Sequence, residues 1–119
     1  MRTILIIDDD LFTREIYGEL VSLHCEKVIT AENGLIGLET FKTVEDIDLI
    51  ILDWIMPVMD GIECYIELRK ISKNIPIVFM SGQRMDKLKF DIVRDKHLYM
   101  YQKPLMIEKL QMLFNKKEL

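Results

Sequence analysis

The chain alternates between short apolar runs and stretches that carry apolar residues at helical spacing. Three runs, at 4–7, 49–52 and 77–80, contain apolar residues only. Runs of this kind are typical of strands buried on both faces, as in a parallel sheet covered by helices. Two weaker candidate strands, at 27–30 and 98–102, mix polar and apolar residues. We expect these two strands at the edges of the sheet.

Five helices are predicted between and after these strands. Their apolar residues recur three and four positions apart: Phe12, Ile16, Leu20 and Leu23; Leu35, Leu38 and Phe41; Ile62, Tyr65 and Ile66; Met85, Leu88 and Ile92; and Ile107, Leu110 and Phe114. Asp10 is placed to cap the first helix, a Met-Asp-Gly turn signal at 59–61 precedes the third, and Pro104 precedes the fifth.

A strand followed by a helix, repeated five times, predicts an α/β fold with a doubly wound parallel sheet, because crossovers between parallel strands are right-handed. The strand order 2-1-3-4-5 places the two weak strands outside. The length of 119 residues predicts one domain, residues 1–119.

Composition narrows the function classes only modestly. The net charge of −4 argues against direct nucleic-acid binding, which selects basic surfaces. Cys25 and Cys64 lack metal-site spacing, no signal sequence precedes the first strand, and no apolar run could span a membrane. We therefore expect reduced cysteines, a cytoplasmic location and no membrane association.

Polar residues stand where four of the five predicted strands end: Asp8 and Asp9, Asp53, Ser81 before Gly82, and Lys103 before Pro104. In a parallel sheet the carboxyl ends of all strands lie on one edge, and ligands bind in the crevice there. We therefore expect three carboxylates, a hydroxyl and an ammonium to converge at one site.

Crowded carboxylates repel each other, and a hard divalent cation relieves that repulsion. Magnesium prefers oxygen ligands and needs only one or two carboxylates from the protein. An aspartate can also act as a nucleophile and form an aspartyl phosphate. The Lys103 ammonium and the Ser81 hydroxyl could then neutralise and hydrogen-bond the phosphoryl oxygens.

The strand-end set resembles the receiver domain of two-component response regulators, of the single-domain chemotaxis type with a flavodoxin-like fold. It comprises Asp8-Asp9, Asp53 within Leu-Asp-Trp-Ile-Met-Pro-Val-Met-Asp-Gly, Ser81-Gly82 and Lys103-Pro104, and the resemblance extends from about Ile4 to Phe114. It implies a phosphorylation-activated signalling switch with an output partner or output domain that the sequence does not name.

The resemblance implies that a sensor histidine kinase, a phosphotransfer protein or a small phosphodonor phosphorylates Asp53. Mg²⁺ would be the cofactor, bound directly by Asp9, largely through water by Asp8, and also by Asp53 and the backbone carbonyl of Ile55. The domain would be a phosphoacceptor with magnesium-dependent self-phosphorylation and self-dephosphorylation, and not an enzyme with turnover.

The resemblance also assigns roles to the remaining strand ends. Ser81 would be the switch hydroxyl, and Lys103 would pair with the phosphoryl group and precede a cis bond to Pro104. Ile55 and Gln83 would flank that group, and an apolar Ile55 side chain would restrict the attacking water. We therefore expect a long-lived phosphoryl group.

One segment departs from the family pattern. Receivers usually place an aromatic residue three positions before the lysine, where Met100 stands between Tyr99 and Tyr101. In receivers this aromatic residue gates the output face. Either a bulge shifts the register of this strand, or this aromatic gate is altered. The preceding Asp95-Lys96-His97 also lacks the usual Gly-Ala. We therefore expect that the output face, built by the fourth helix, the fifth strand and the fifth helix, signals in a non-standard way.

Three other functions fit parts of the sequence. Asp8 and Asp10 have the spacing of a haloacid dehalogenase-type phosphatase, although Phe12 departs from that motif. The same acids could begin a calcium loop, but Thr13 stands where such a loop has glycine. A receiver-like module that binds partners without phosphorylation would not need the intact acidic set. Continuous release of phosphate would identify the phosphatase, whereas a switch is modified once per molecule.

Overall fold

A five-stranded parallel sheet forms the centre of the protein. The computed structural model describes residues 3–82, 94–103, 108, 109, 111 and 112. Its elements in chain order are β1 (Thr3–Ile7), α1 (Leu11–Ser22), β2 (Lys27–Ala31), α2 (Gly34–Thr43), β3 (Ile47–Asp53), α3 (Gly61–Ile71), β4 (Ile77–Ser81) and β5 (Leu98–Gln102). The strand order β2-β1-β3-β4-β5 confirms the predicted order and the α/β class.

The last two predicted helices fall partly or wholly outside the described residues. The fourth, at 85–92, lies wholly outside them. Of the fifth, residues 108, 109, 111 and 112 are described, and they are helical. None of the described helices has the length and apolar character needed to cross a membrane.

The three central strands are buried on both faces, as their apolar runs predict. Every residue of the runs at 4–7, 49–52 and 77–80 has 0% exposure. Residues of α2 and α3, including Leu38 and Leu68, cover one face of the sheet, and Tyr17 and Val21 of α1 cover the other. The sheet therefore holds its strand ends on a rigid, fully packed base.

Helix α1 forms where the periodicity predicts it, but the stripe that predicts it is mostly exposed. Phe12 is 69% exposed, Ile16 38% and Leu23 84%, whereas Tyr17 and Val21 are buried. The sequence contains two overlapping apolar stripes, and the helix turns the one with Tyr17 and Val21 toward the sheet. The exposed stripe lies at the surface, and it begins beside the carboxyl edge of the sheet.

Acidic caps fix where two helices begin. The Asp10 side chain accepts hydrogen bonds from the backbone N–H of Thr13 at 2.8 Å and from its hydroxyl at 2.6 Å, which confirms the predicted cap of α1. Asp60 accepts from the N–H of Glu63 at 2.9 Å and caps α3. Such caps contribute about 1 kcal/mol each and set where the preceding loop ends.

The pairing of β4 with β5 decides between the two readings of the Met100 segment. It runs without a bulge from Ile77 opposite Leu98 to Ser81 opposite Gln102. Met100 packs on the face covered by α2 and α3, and Tyr99 and Tyr101 pack on the α1 face. A shifted register is therefore wrong for this strand, and methionine stands three positions before Lys103, where the resemblance expects an aromatic residue.

A partly buried ion pair ties the segment before β5 to α3. Arg69 donates from Nε to Asp95 at 2.6 Å and from Nη1 to the carbonyl of Ile75 at 2.8 Å. The Tyr65 hydroxyl donates to the same Asp95 carboxylate at 2.5 Å. Burial and this bond raise the pKa of Tyr65 to about 12, so the hydroxyl keeps its proton. Asp95 thus anchors a segment that departs from the family pattern.

Candidate functional site

Three aspartates meet at the carboxyl edge of β1 and β3. Asp8 follows β1 with 0% exposure, and Asp53 ends β3 with 4% exposure. Asp9, next along the chain, is exposed. Oxygens of the three carboxylates lie within 4.8 Å of one another. The predicted convergence is confirmed for these residues, and their oxygen donors suit a hard divalent cation.

Lys103 joins the two buried carboxylates. Its Nζ lies 3.1 Å from Oδ2 of Asp8 and 3.0 Å from Oδ1 of Asp53. Burial works to lower the pKa of Lys103, but the hydrogen bond and charge of Asp53, followed by those of Asp8, outweigh it and raise this pKa. The side chain therefore remains an ammonium that faces the Asp53 carboxylate.

The Asp53 carboxyl lies in an environment that opposes its ionisation. Burial, followed by the negative charge of Asp8, raises its pKa to about 6, although the hydrogen bond from Lys103 acts in the opposite direction. Among the described residues, the Lys103 ammonium therefore offsets only part of the negative charge of the three carboxylates. The aspartates therefore fit a bound cation, which would remove the remaining repulsion.

Ser81 and Lys103 are coupled through the backbone. Ser81 ends β4 with 1% exposure, and its carbonyl oxygen accepts a hydrogen bond from the backbone N–H of Lys103 at 2.7 Å. This contact extends the β4–β5 pairing to the lysine. The serine therefore lies at the strand end next to the acidic cluster, formed by Asp8, Asp9 and Asp53, as its place in the sequence predicts.

The loop after Asp53 is shaped by Gly61. The Gly61 N–H donates to the carbonyl oxygen of Trp54 at 2.6 Å. A Cβ on Gly61 would lie 2.7 Å from the Trp54 Cα and would overlap the carbonyl oxygen of Asp53. Glycine is thus required for the loop to fold back against the end of β3. Ile55 and Val58 in this loop are 54% and 74% exposed.

Some predicted features lie beyond what the structure tests. Gln83 and the bond from Lys103 to Pro104 involve residues outside the described part of the chain. The roles of the Ile55 carbonyl and the Ser81 hydroxyl remain predictions.

Sequence reasoning missed Arg14. Its Nη1 donates to the carbonyl oxygen of Asp8 at 2.8 Å. Six positions separate the two residues, and an arginine in an amphipathic helix is ordinarily a solvated charge. Only the packing of α1 against the end of β1 reveals the contact.

Known proteins of similar sequence include a transcriptional regulatory protein and a chemotaxis protein. The CpxR homolog of Haemophilus influenzae, a transcriptional regulatory protein, is 37% identical over 86 residues, which cover 72% of this chain and 37% of that protein. The chemotaxis protein CheY of Halobacterium salinarum is 31% identical over 81 residues, which cover 68% of this chain and 67% of that protein. The chain thus spans little more than a third of the first relative and two thirds of the second.

Solved structures of regulatory proteins share the fold over nearly the whole chain. Chemotaxis protein CheY4 of Vibrio cholerae superposes with a TM-score of 0.84 at 25% identity and 98% coverage of both chains. Response regulator TrrA of Thermotoga maritima, in complex with Mg²⁺-BeF, superposes with a TM-score of 0.80 at 28% identity and full coverage of both chains.

The match to the family itself extends over most of the sequence. The family model of the response regulator receiver domain matches residues 4–115 of this sequence, which include all the strand ends described above. This chain therefore belongs to the response regulator receiver domain family and acts as a receiver in two-component signalling.

Proposed function

We propose that this receiver takes a phosphoryl group on Asp53 in a magnesium-dependent reaction. The observation that carries the proposal is the geometry of the acidic cluster. Carboxylate oxygens of Asp8, Asp9 and Asp53 lie within 4.8 Å of one another. Oδ1 of Asp53 lies 3.0 Å from the Lys103 ammonium. A carboxylate nucleophile, two further acids and a cation are the groups that phosphoryl transfer to an aspartate requires.

Asp8, Asp9 and Asp53 would hold the Mg²⁺ ion, together with the backbone carbonyl of Ile55. A bound magnesium ion would supply charge neutralisation at the transferring phosphoryl oxygens. The oxygen-only donor set and the raised pKa of Asp53 support a hard cation at this site. The Mg²⁺-BeF complex of the Thermotoga maritima response regulator supports the same choice.

The protein's own residues would act as follows. An oxygen of Asp53 forms the new bond to phosphorus, while the bond from phosphorus to the donor nitrogen or oxygen breaks and the donor keeps that electron pair. Lys103, already 3.0 Å from Asp53, follows the negative charge onto the phosphoryl oxygens. The Ser81 hydroxyl donates a hydrogen bond to the same group.

The phosphodonor is proposed to be a sensor histidine kinase or a phosphotransfer protein. Exposed large apolar side chains follow the acidic residues along the chain. Leu11 and Phe12 at the start of α1 are 59% and 69% exposed, and Ile55 and Val58 follow Asp53 in the adjacent loop. Apolar exposure at the rim of a polar site is typical of a protein-docking surface. This surface supports a protein donor over a small metabolite alone.

The output of the switch would travel through β4 and β5. The backbone hydrogen bond from Lys103 to Ser81 joins the two strand ends. A rearrangement of one residue would therefore move the other. Met100 packs beneath this edge on the α2–α3 face and would replace the aromatic gate. Phosphorylation would shift the population between two arrangements of the output face, which the fourth predicted helix, β5 and the fifth predicted helix would build. The proposed location is the cytoplasm.

Magnesium and phosphodonor titrations test the proposal. Trp54 is the single tryptophan and directly follows Asp53. Its fluorescence is expected to change on addition of Mg²⁺ and again on addition of acetyl phosphate. An Asp53→Asn variant should lose the second change. A parent protein that responds to neither reagent would refute the site.

Counting released phosphate separates the switch from the phosphatase alternative. The switch accepts one phosphoryl group per molecule and returns it slowly to water, whereas a phosphatase would release phosphate continuously from a small phosphate ester. The relatives are signalling regulators, and no comparison supports the phosphatase.

A further inference from the structure

Asp8 is held at each of its polar positions. Its N–H donates to the carbonyl of Ala31 at 3.1 Å, and its Oδ1 accepts from the N–H of Asp10 at 2.9 Å. Its Oδ2 accepts from Lys103 at 3.1 Å. The remaining group, the carbonyl oxygen, accepts from Arg14 at 2.8 Å. Arg14 is thus the only one of these partners that acts on the peptide leading to Asp9.

The position of the Asp9 backbone depends on that peptide. The carbonyl of Asp8 and the nitrogen of Asp9 belong to one planar unit, so fixing the oxygen fixes the direction in which the chain enters Asp9. Arg14 is itself fixed within α1, because its N–H donates to the carbonyl of Asp10 at 3.0 Å. The guanidinium therefore links the first turn of α1 to the end of β1.

We infer that Arg14 is a positioning residue that holds the Asp8–Asp9 turn in the orientation required for cation binding. The inference rests on the proposed function, because it assigns a purpose to the turn only if the aspartates bind a cation. Arg14 would touch neither the cation nor the phosphoryl group. It would act through the Asp8 carbonyl, and loss of the contact would let the Asp9 carboxylate leave the site.

A second effect of Arg14 has the opposite sign. Its positive charge repels any cation at the site, so removing it would tighten binding by electrostatics alone. The two effects are separable, because the Debye length falls to about 3 Å at 1 M salt and long-range repulsion is then screened. A direct hydrogen bond in a partly buried position is screened far less. Binding at high salt therefore isolates the positioning effect.

The test measures Mg²⁺ dissociation constants by Trp54 fluorescence at about 0.1 M and about 1 M KCl. Arg14→Ala is expected to weaken binding about threefold to tenfold at high salt, which is the contribution of one hydrogen bond. The loss should be smaller at low salt, where repulsion is relieved. Arg14→Lys keeps a donor and should lie nearer to the parent. Lys27→Ala removes an exposed cation at the opposite end of the sheet and is the control.

A metal-free measurement distinguishes positioning from general loss of stability. Exchange of the Asp10 amide, which donates to Asp8, should accelerate in Arg14→Ala, whereas the Leu52 amide in β3 should exchange as in the parent. If the alanine variant does not fold, Arg14→Met, which keeps a long side chain but has no donor, carries the same comparison.

The inference would be overturned if the Asp10 amide of Arg14→Ala exchanged as in the parent. It would also be overturned if this variant bound Mg²⁺ at high salt as tightly as the parent does. A parent that binds no Mg²⁺ would instead overturn the proposed function, and the metal-free exchange would still decide the role of Arg14.

Discussion

Replacement of Asp53 by Asn should stabilise the metal-free domain at neutral pH. Burial, reinforced by the charge of Asp8, raises the pKa of Asp53 from 3.8 to about 6 in the folded protein. A carboxyl with a higher pKa in the folded state binds its proton more tightly there, so ionisation favours unfolding. This penalty is absent at pH values well below the unfolded pKa, grows as the pH rises through the interval, and is complete above the folded pKa.

The expected magnitude follows from the shift. A rise from 3.8 to about 6 corresponds to about 3 kcal/mol of unfolding free energy at pH 7 and about 0.5 kcal/mol at pH 4. Asparagine has nearly the same size, keeps an acceptor for Lys103 and carries no charge. The Asp53→Asn variant should therefore exceed the parent in stability by most of this amount at pH 7, and the advantage should shrink toward pH 4.

Urea unfolding in EDTA, followed by far-ultraviolet circular dichroism at both pH values, measures the difference. Glu19→Gln changes an exposed carboxylate on α1 and should alter stability by less than about 0.5 kcal/mol at either pH. Added Mg²⁺ should stabilise the parent more than the Asp53→Asn variant. Equal stability of the two proteins at pH 7, or a gain that does not vary with pH, would refute the electrostatic reasoning.

Three further predictions concern stability and phosphoryl lifetime. Val58 has a φ of 71°, which disfavours a β-branched residue, so Val58→Asn should raise the unfolding free energy by about 1 kcal/mol in urea titrations. Asp95→Ala breaks the partly buried pair with Arg69 and should cost about 2 kcal/mol at pH 7, whereas Glu39→Ala breaks an exposed pair and should cost under about 1 kcal/mol. Because Arg69 and Tyr65 hold the pKa of Asp95 low against the effect of burial, its contribution is present at neutral pH and should be lost as the pH falls through that pKa. Ile55→Gln should shorten the lifetime of the phosphorylated protein, measured by phosphate release, because a polar side chain can orient the attacking water; an unchanged lifetime would exclude Ile55 from that role.

The sheet and the acidic site were predictable because each depends on local patterns. Unbroken apolar runs mark the buried strands, and a parallel sheet brings Asp8, Asp53 and Lys103 to one edge wherever the intervening helices lie. The two mixed strands fell at the edges for the same reason. No contact between distant side chains had to be known.

The features that sequence reasoning missed depend on packing. Helix α1 carries two apolar stripes, and only its fit against the sheet selects Tyr17 and Val21 over Phe12 and Ile16. The bond from Arg14 to Asp8 and the pair between Arg69 and Asp95 arise from the same kind of long-range fit. Charged residues on helices are ordinarily solvated, so neither contact has a local signal.

The central claim, that Asp53 accepts the phosphoryl group, is tested most directly by the intact mass of the protein after incubation with acetyl phosphate and Mg²⁺. The account predicts that the parent gains the mass of one phosphoryl group and that EDTA or the Asp53→Asn substitution prevents the gain. A parent that gains no mass, or an Asp53→Asn variant that gains as much as the parent, would contradict it.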